Sequence, residues 1–159
     1  MWAPWRMKYI GSDKPAGCIF CEKSAAGSDP ANHIVWRGRQ AFVLLNTFPY
    51  NNGHLMVAPY QHAGNLEDLA PDVLTELMML CQDAIRALKR DFKPDGVNMG
   101  INLGSAAGAG VKDHLHIHVV PRWQGDTNFM AVVTDTRVIP QSLDDSYRIL
   151  HAAFKALRG

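Results

Sequence analysis

Three histidines alternate in the run Asp113-His114-Leu115-His116-Ile117-His118-Val119-Val120-Pro121-Arg122. A β-strand turns successive side chains to opposite faces. The three imidazoles would therefore share one face, roughly 6.5 to 7 Å apart, while Leu115, Ile117 and Val119 face the other way. Imidazole is the side chain that serves as nucleophile, proton carrier or metal ligand near neutral pH. Three buried rings need many hydrogen-bond partners, so packing alone accounts for them poorly. The plain alternative is an exposed His-rich strand or a surface metal clip. Just ahead of the run lies Gly104-Ser105-Ala106-Ala107-Gly108-Ala109-Gly110, small and flexible, where backbone N–H groups can approach an anion closely. Phosphate is the obvious candidate, with Gly108, Ala109 and Gly110 nearest the histidines. The loop fits neither standard nucleotide motif, because no Lys-Ser/Thr follows it and no helix opens at its end.

A second group of chemical residues sits near the start. Cys18 and Cys21 form a Cys-x-x-Cys pair, two thiolates at a separation suited to one tetrahedral zinc that needs two further nitrogen or sulfur ligands from elsewhere. The alternatives are a redox pair or inert packing. Cys81 falls on the apolar stripe of a helical pattern and reads as core. An odd count of three cysteines argues against a disulfide scaffold, so reduced thiols are expected.

These residues need elements to position them. Ile34-Val35-Trp36, Ala41 to Leu45 and Gly53 to Ala58 read as strands, the last two joined by the turn-rich segment Phe48-Pro49-Tyr50-Asn51-Asn52-Gly53. From Pro71 to Phe92, apolar residues recur every three or four positions, with Pro71 placed to begin a helix and Lys93-Pro94-Asp95-Gly96 to end it. Val97 to Gly104 alternates as a strand that should pair with the histidine strand. Leu143, Tyr147, Leu150, Phe154 and Leu157 mark a terminal helix, with Ser142 as its cap and Asp144 and Asp145 in the first turn. Ala25 to Asn32 reads as loop, and His33 and His151 read as surface residues.

Composition bounds what this framework can do. At 159 residues, 47% hydrophobic and 19% charged, the chain fits one globular domain. Sixteen Lys and Arg against 15 Asp and Glu give a net charge of +1. That leaves no general basic field for nucleic acid, so any anion site must be local. No stretch approaches the roughly 18 to 20 apolar residues of a membrane span, and the opening residues lack an apolar signal core. A cytoplasmic protein with neither nucleic-acid nor membrane partner is expected.

The pattern His-x-His-x-His followed by two apolar residues resembles the signature of the histidine triad (HIT) superfamily. The likeness extends to Trp2-Ala3-Pro4-Trp5-Arg6, Cys18-Ile19-Phe20-Cys21, Leu45-Asn46, Pro49 to Val57, Asn102-Leu103-Gly104, and Val120 through Phe129. With these the chain resembles the superfamily's bacterial diadenosine polyphosphate phosphorylase branch. The resemblance implies an α+β fold with a five-stranded antiparallel sheet, one long helix and a C-terminal helix, usually with sheets joined across a homodimer. Residues 1–17 would form an N-terminal arm and 130–159 a C-terminal extension of a single domain. It implies transfer of a nucleotidyl group from a dinucleoside polyphosphate such as diadenosine tetraphosphate to a histidine, then to inorganic phosphate. Hydrolysis, phosphoramidate cleavage, or a nucleotide-binding or zinc-stabilised protein without turnover are the other readings.

The resemblance also assigns roles. His116 is the nucleophile, with His118 and His54 flanking the transferred phosphoryl group. Asn46 stands at the ribose-binding position and Asn102 lines the phosphate pocket, where bland readings are a turn former before Pro49 and a tie between two loops. In zinc-bearing members the two further ligands correspond to His62 and His114, which completes a structural site with Cys18 and Cys21. For attack on phosphorus the nucleophile needs a bare ring nitrogen. The other nitrogen must then be held by a fixed acceptor, and a backbone carbonyl on the same strand is the expected one. One departure stands out. Many members carry Gln, Ser or Thr just ahead of the first histidine, whereas this chain has Gly110, Val111, Lys112 and Asp113. Backbone amides or Lys112 would have to substitute. Trp2, Trp5, Phe42 and Trp123 are candidates to stack on a base, with core packing as the alternative.

Overall fold

The computed structural model describes residues 17–126 and 141–159. The Trp2-to-Arg6 opening and the Asn128-Phe129 end of the resemblance lie outside the described residues. In chain order the elements are α1 (Ile19–Ala25), α2 (Asp29–Asn32), β1 (Ile34–Arg37), β2 (Ala41–Leu45), β3 (Leu55–Pro59), a 3₁₀ turn (Leu66–Asp68), α3 (Pro71–Asp91), β4 (Gly96–Ile101), β5 (Ile117–Arg122) and α4 (Leu143–Arg158). The strands form one antiparallel sheet in the order β1-β2-β3-β5-β4. The expected α+β architecture with five strands, one long helix and a C-terminal helix is what the chain adopts.

The long helix forms where its periodicity predicts. Pro71 occupies the first turn, where a missing N–H costs nothing. Val73, Leu77, Leu80, Cys81, Ala84, Ala87 and Leu88 then fall on one buried stripe. Lys93, with φ of 47°, turns the chain out, and its N–H donates to the Leu88 carbonyl. The stripe packs on Val43, Leu45, Leu55, Val57, Leu115, Ile117 and Val119. Helix α4 is capped by the Ser142 hydroxyl, which accepts the Asp145 N–H at 3.1 Å, and adds Tyr147, Leu150, Ala153 and Phe154 to the same core.

The other face of the sheet is divided. Over β1 to β3, Phe20 from α1 closes a smaller cluster of Ile34, Phe42, Leu44, Met56 and Ala58. Over β5 and β4 the same face carries Asn98 and Gly100, both exposed. Met56 pairs directly with His118, so the histidines sit where the covered half meets the open half.

Several boundaries differ from expectation. The segment 25–32 is not all loop, because α2 makes one turn there, and the Cys pair lies at the start of α1, with Cys18 at its N-cap position. Both helices are too short to show periodicity and are held by long-range bonds. Arg37 reaches back with Nε 2.8 Å from Asp29 Oδ1 and Nη1 2.8 Å from the Ser24 carbonyl. The histidine strand begins at Ile117, not near Asp113, since the Leu115 N–H donates to the Ala63 carbonyl at 2.7 Å and leaves the ladder. The alternation persists nonetheless: Leu115, Ile117 and Val119 face α3. The other sheet strands also shift at their ends, β4 stopping at Ile101 short of Gly104 and β3 starting at Leu55. His33 and His151 are half-buried and partnered instead of plain surface residues. His33 Nε2 lies 3.0 Å from Asp144, and His151 Nδ1 donates to the Val35 carbonyl at 2.9 Å, so both hold α4 against β1.

Candidate active site

The protonated nitrogen of each imidazole can be read from its partner, since a carbonyl only accepts and an amide N–H only donates. His116 Nδ1 lies 2.9 Å from the His114 carbonyl and must carry the hydrogen. Its Nε2 is therefore a bare lone pair. Burial pushes the His116 pKa down, which keeps that lone pair unprotonated at neutral pH. The carbonyl acceptor expected on the same segment is present.

His54 is fully buried and is fixed the other way round. The Tyr50 backbone N–H donates to His54 Nδ1 at 3.0 Å, so the hydrogen is on Nε2, which donates to His118 Nδ1 at 3.0 Å. His118 then has its own hydrogen on Nε2. Burial lowers the His54 pKa to about 3, with His118 and His116 adding to the shift. The rings are packed as well as bonded. His116 and His118 meet edge to face at 4.9 Å between centroids, and Tyr50 lies 4.7 Å from His54. The result is a nucleophilic nitrogen beside a hydrogen-bond donor whose direction is set two residues away.

His114 faces the cysteines. Its Nε2 donates to the Pro59 carbonyl at 2.9 Å, which leaves Nδ1 bare, 3.2 Å from Cys18 Sγ and 3.5 Å from Cys21 Sγ. His62 Nδ1 lies 3.4 Å from Cys21 Sγ. The four ligand atoms all lie within 4.8 Å of one another, and two sulfurs with two imidazole nitrogens are a donor set that zinc takes tetrahedrally. The residues present fit a metal. Cys81, by contrast, is buried, with its thiol pushed up to about 12.

The remaining expected residues are placed as follows. Asn102 lines an open cleft of about 350 Å³ together with His118. Asn46 is half-buried and behaves as the turn former: its Oδ1 accepts the Phe48 N–H at 3.0 Å, while Nδ2 lies 3.4 Å from His54 Nδ1. In the glycine-rich loop the Gly108 and Ala109 amides donate to the Ser105 and Gly104 carbonyls, so both are already used within the loop's own turn. Lys112 is exposed. Phe42 is fully buried and stacks on Tyr60, which makes it core.

Sequence reading did not reach three contributors. Phe20 packs its ring 5.0 Å from His114 and 4.8 Å from His116, joining the cysteine helix to the histidine run. The Tyr50 amide orients His54. Gly64 lets the His62 segment cross the loop ahead of the triad, where a Cβ would come within 2.7 Å of the Lys112 carbonyl. A glycine two residues after His62 is the only trace of that crossing in the sequence.

Fold and site together define a class: a small α+β protein with an alternating histidine run at the open boundary of its sheet. The HIT domain family matches residues 29–125, and the chain belongs to that family. It is 43% identical over 94% of its length, and 81% of the relative's, to the AP-4-A phosphorylase of Mycobacterium tuberculosis strain H37Rv. Among solved structures it resembles a zinc-bound histidine triad family protein from Mycobacterium smegmatis. The TM-score is 0.71 and the identity 29%, covering 89% of this chain and 95% of that one. It also resembles the hypothetical histidine triad nucleotide-binding protein ST2152 from Sulfolobus tokodaii, with a TM-score of 0.70 and 25% identity over 89% and 94%. No helix among the described residues is long and apolar enough to cross a membrane.

Proposed function

We propose that this chain is a nucleotidyl transferase that cleaves dinucleoside polyphosphates such as diadenosine tetraphosphate, with inorganic phosphate as acceptor. The observation that carries the reading is the His116 lone pair, held bare by the bond from Nδ1 to the His114 carbonyl. The relative's name supports the substrate class. In the first step His116 Nε2 attacks the terminal adenylyl phosphorus, a P–N bond forms, and the P–O bond to the leaving ATP breaks. In the second, a phosphate oxygen attacks the same phosphorus, the P–N bond breaks and ADP leaves. Two transfers with a good leaving group replace one difficult transfer. His118 donates its Nε2 hydrogen to oxygens where charge develops, and His54 keeps it pointed there. Asn102 supports the phosphates from the cleft. An anion at Gly108, Ala109 and Gly110 has to displace the loop's internal bonds, which makes up for the missing Gln, Ser or Thr only in part. Asn46 keeps its amide hydrogens and the second lone pair of Oδ1 for ribose hydroxyls beside its turn bond.

Zinc at Cys18, Cys21, His62 and His114 is structural in this reading, because four protein ligands leave no position for water. Its effect is to hold α1, and with it Phe20, against the nucleophile. Homodimer formation uses the outer edge of β4, which has no neighbouring strand among the described residues. The decisive experiment is a phosphorus NMR time course on diadenosine tetraphosphate. ADP plus ATP that requires added phosphate supports the proposal; AMP plus ATP regardless of phosphate makes the enzyme a hydrolase. Faster turnover of adenosine phosphoramidate than of diadenosine tetraphosphate makes it a phosphoramidase.

A further inference from the structure

The chemical face of β5 does not stop at the histidines. Side chains at every second position share a face, so Val120 and Arg122 continue it beyond His118. The register pairs Gly100 with His118, Asn98 with Val120 and Gly96 with Arg122. Asn98 and Gly100 therefore lie on the same side, and Asn102, two positions on, follows them into the cleft. Gly100 leaves open space beside His118, since a Cβ there would meet no atom within 4 Å. The cleft is thus a groove along two strands, with His118 and Asn102 at one end and Arg122, Asn98, Asn51 and Asp126 at the other. Four residues of strand separate the ends, about 13 Å.

The two ends differ in charge. At the far end Arg122 is neutralised: Nε and Nη2 donate to the two oxygens of Asp126 at 2.6 and 2.8 Å, and Nη1 donates to Asn98 Oδ1 at 2.9 Å. Asp126 Oδ2 also accepts from Asn51 Nδ2 at 2.8 Å. A paired guanidinium has lost most of its pull on a free phosphate. What remains is neutral and rich in donors: the Asn98 amide hydrogens and two guanidinium hydrogens beyond the three in use. That chemistry suits hydroxyls and ring acceptors of a nucleoside. The distance agrees, because an extended triphosphate starting at His118 is used up before Arg122. A volume of about 350 Å³ lies in the range that takes a small molecule.

We propose that this groove is the seat of the departing half of the dinucleotide, with the triphosphate running from His118 along Gly100 and the distal nucleoside held by Asn98 and the Arg122–Asp126 pair. The assignment rests on the proposed transferase reading and adds a recognition site to it. It predicts that a dinucleotide is preferred over a mononucleoside polyphosphate that presents the same reacting phosphorus.

The test compares diadenosine tetraphosphate with adenosine 5′-tetraphosphate, which lacks only the distal nucleoside. The wild-type chain should favour the dinucleotide in kcat/KM by about tenfold or more, and Asn98→Ala and Arg122→Lys should each pull that ratio down by about fivefold to tenfold. The Asn98 side chain is exposed in the single chain on the strand whose outer edge serves the proposed dimer, so the variant's melting and oligomeric state are compared with wild type, and both should be unchanged. A ratio that both variants leave unmoved, or an equal loss on both substrates, overturns the assignment. If the wild-type chain forms no nucleotidyl adduct with either substrate, the transferase reading fails, and this proposal with it.

Discussion

Two pairs of imidazoles stand side by side in this site and are held by opposite means. His114 and His116 each donate to a backbone carbonyl, of Pro59 and of His114 itself, so their bare nitrogens are aimed by the path of the main chain. His54 and His118 hold each other ring to ring, and the Tyr50 amide fixes His54 in turn. The first arrangement suits atoms that must form bonds to a metal or to phosphorus at one fixed angle. The second suits hydrogen-bond donors, which can follow an oxygen as charge builds on it. Phe20 touches both members of the first pair, so the rigid half of the site is also the half braced by the cysteine helix.

The contrast can be tested from its strongest consequence downward. On the proposed mechanism His116→Ala should lower turnover by about 10⁴-fold or more, measured on diadenosine tetraphosphate, because it removes the attacking nitrogen. His54→Ala acts only through His118, so its loss should be smaller, about 10²-fold, and should appear in kcat more than in KM. Equal losses in the two variants would erase the distinction between bonding and donating pairs.

Stability should show the pH dependence of a site full of neutral rings. His54 stays unprotonated in the folded chain down to about pH 3, whereas in the unfolded chain it takes a proton below its ordinary value near 6.5. The unfolded state therefore binds more protons between those limits. The contribution is fully present above about pH 6.5 and is lost as the pH falls toward 3, by a few kcal/mol. The lowered pKa values of His114 and His116 act with the same sign. Denaturant melts from pH 7 to pH 4 should show the fall, and His54→Gln should flatten part of it.

The smallest expected effect concerns the brace. Gly64→Ala places a methyl group against the Lys112 carbonyl and should destabilise the fold by about 1 to 3 kcal/mol while shifting His62 relative to His114. Zinc affinity measured with a colorimetric chelator should drop with it. Unchanged melting and unchanged zinc affinity would mean that the crossing of these two segments is looser than drawn.

How far the sequence spoke follows the reach of the interactions involved. Periodicity carried the long helix, the terminal helix and the alternating faces of the histidine run, because each depends on neighbours a few residues away. The start of β5 was misplaced since Leu115 bonds to Ala63, a partner far off in sequence. Helix α2 was missed because Arg37 and Asp29 secure it, not an apolar stripe. Within the site, His54, His62, His114, His116 and His118 were named from the residues and the family pattern, and the structure brings all of them together. Of the bonds that set their tautomers, the carbonyl held by His116 was expected on its own strand, whereas the Tyr50 and Pro59 main-chain groups are revealed by no side-chain pattern. Asn46 shows the limit from the other side: its Oδ1 closes its own turn, a local bond that the family role does not contain.

The central claim is that His116 Nε2 forms a transient bond to phosphorus. Rapid acid-free quenching of the chain with diadenosine tetraphosphate in the absence of phosphate, followed by peptide mass spectrometry, tests it most directly. The account predicts an adenylyl group on the peptide containing His116, discharged when phosphate is added. An adenylyl group found elsewhere, or turnover without any adduct, would contradict it.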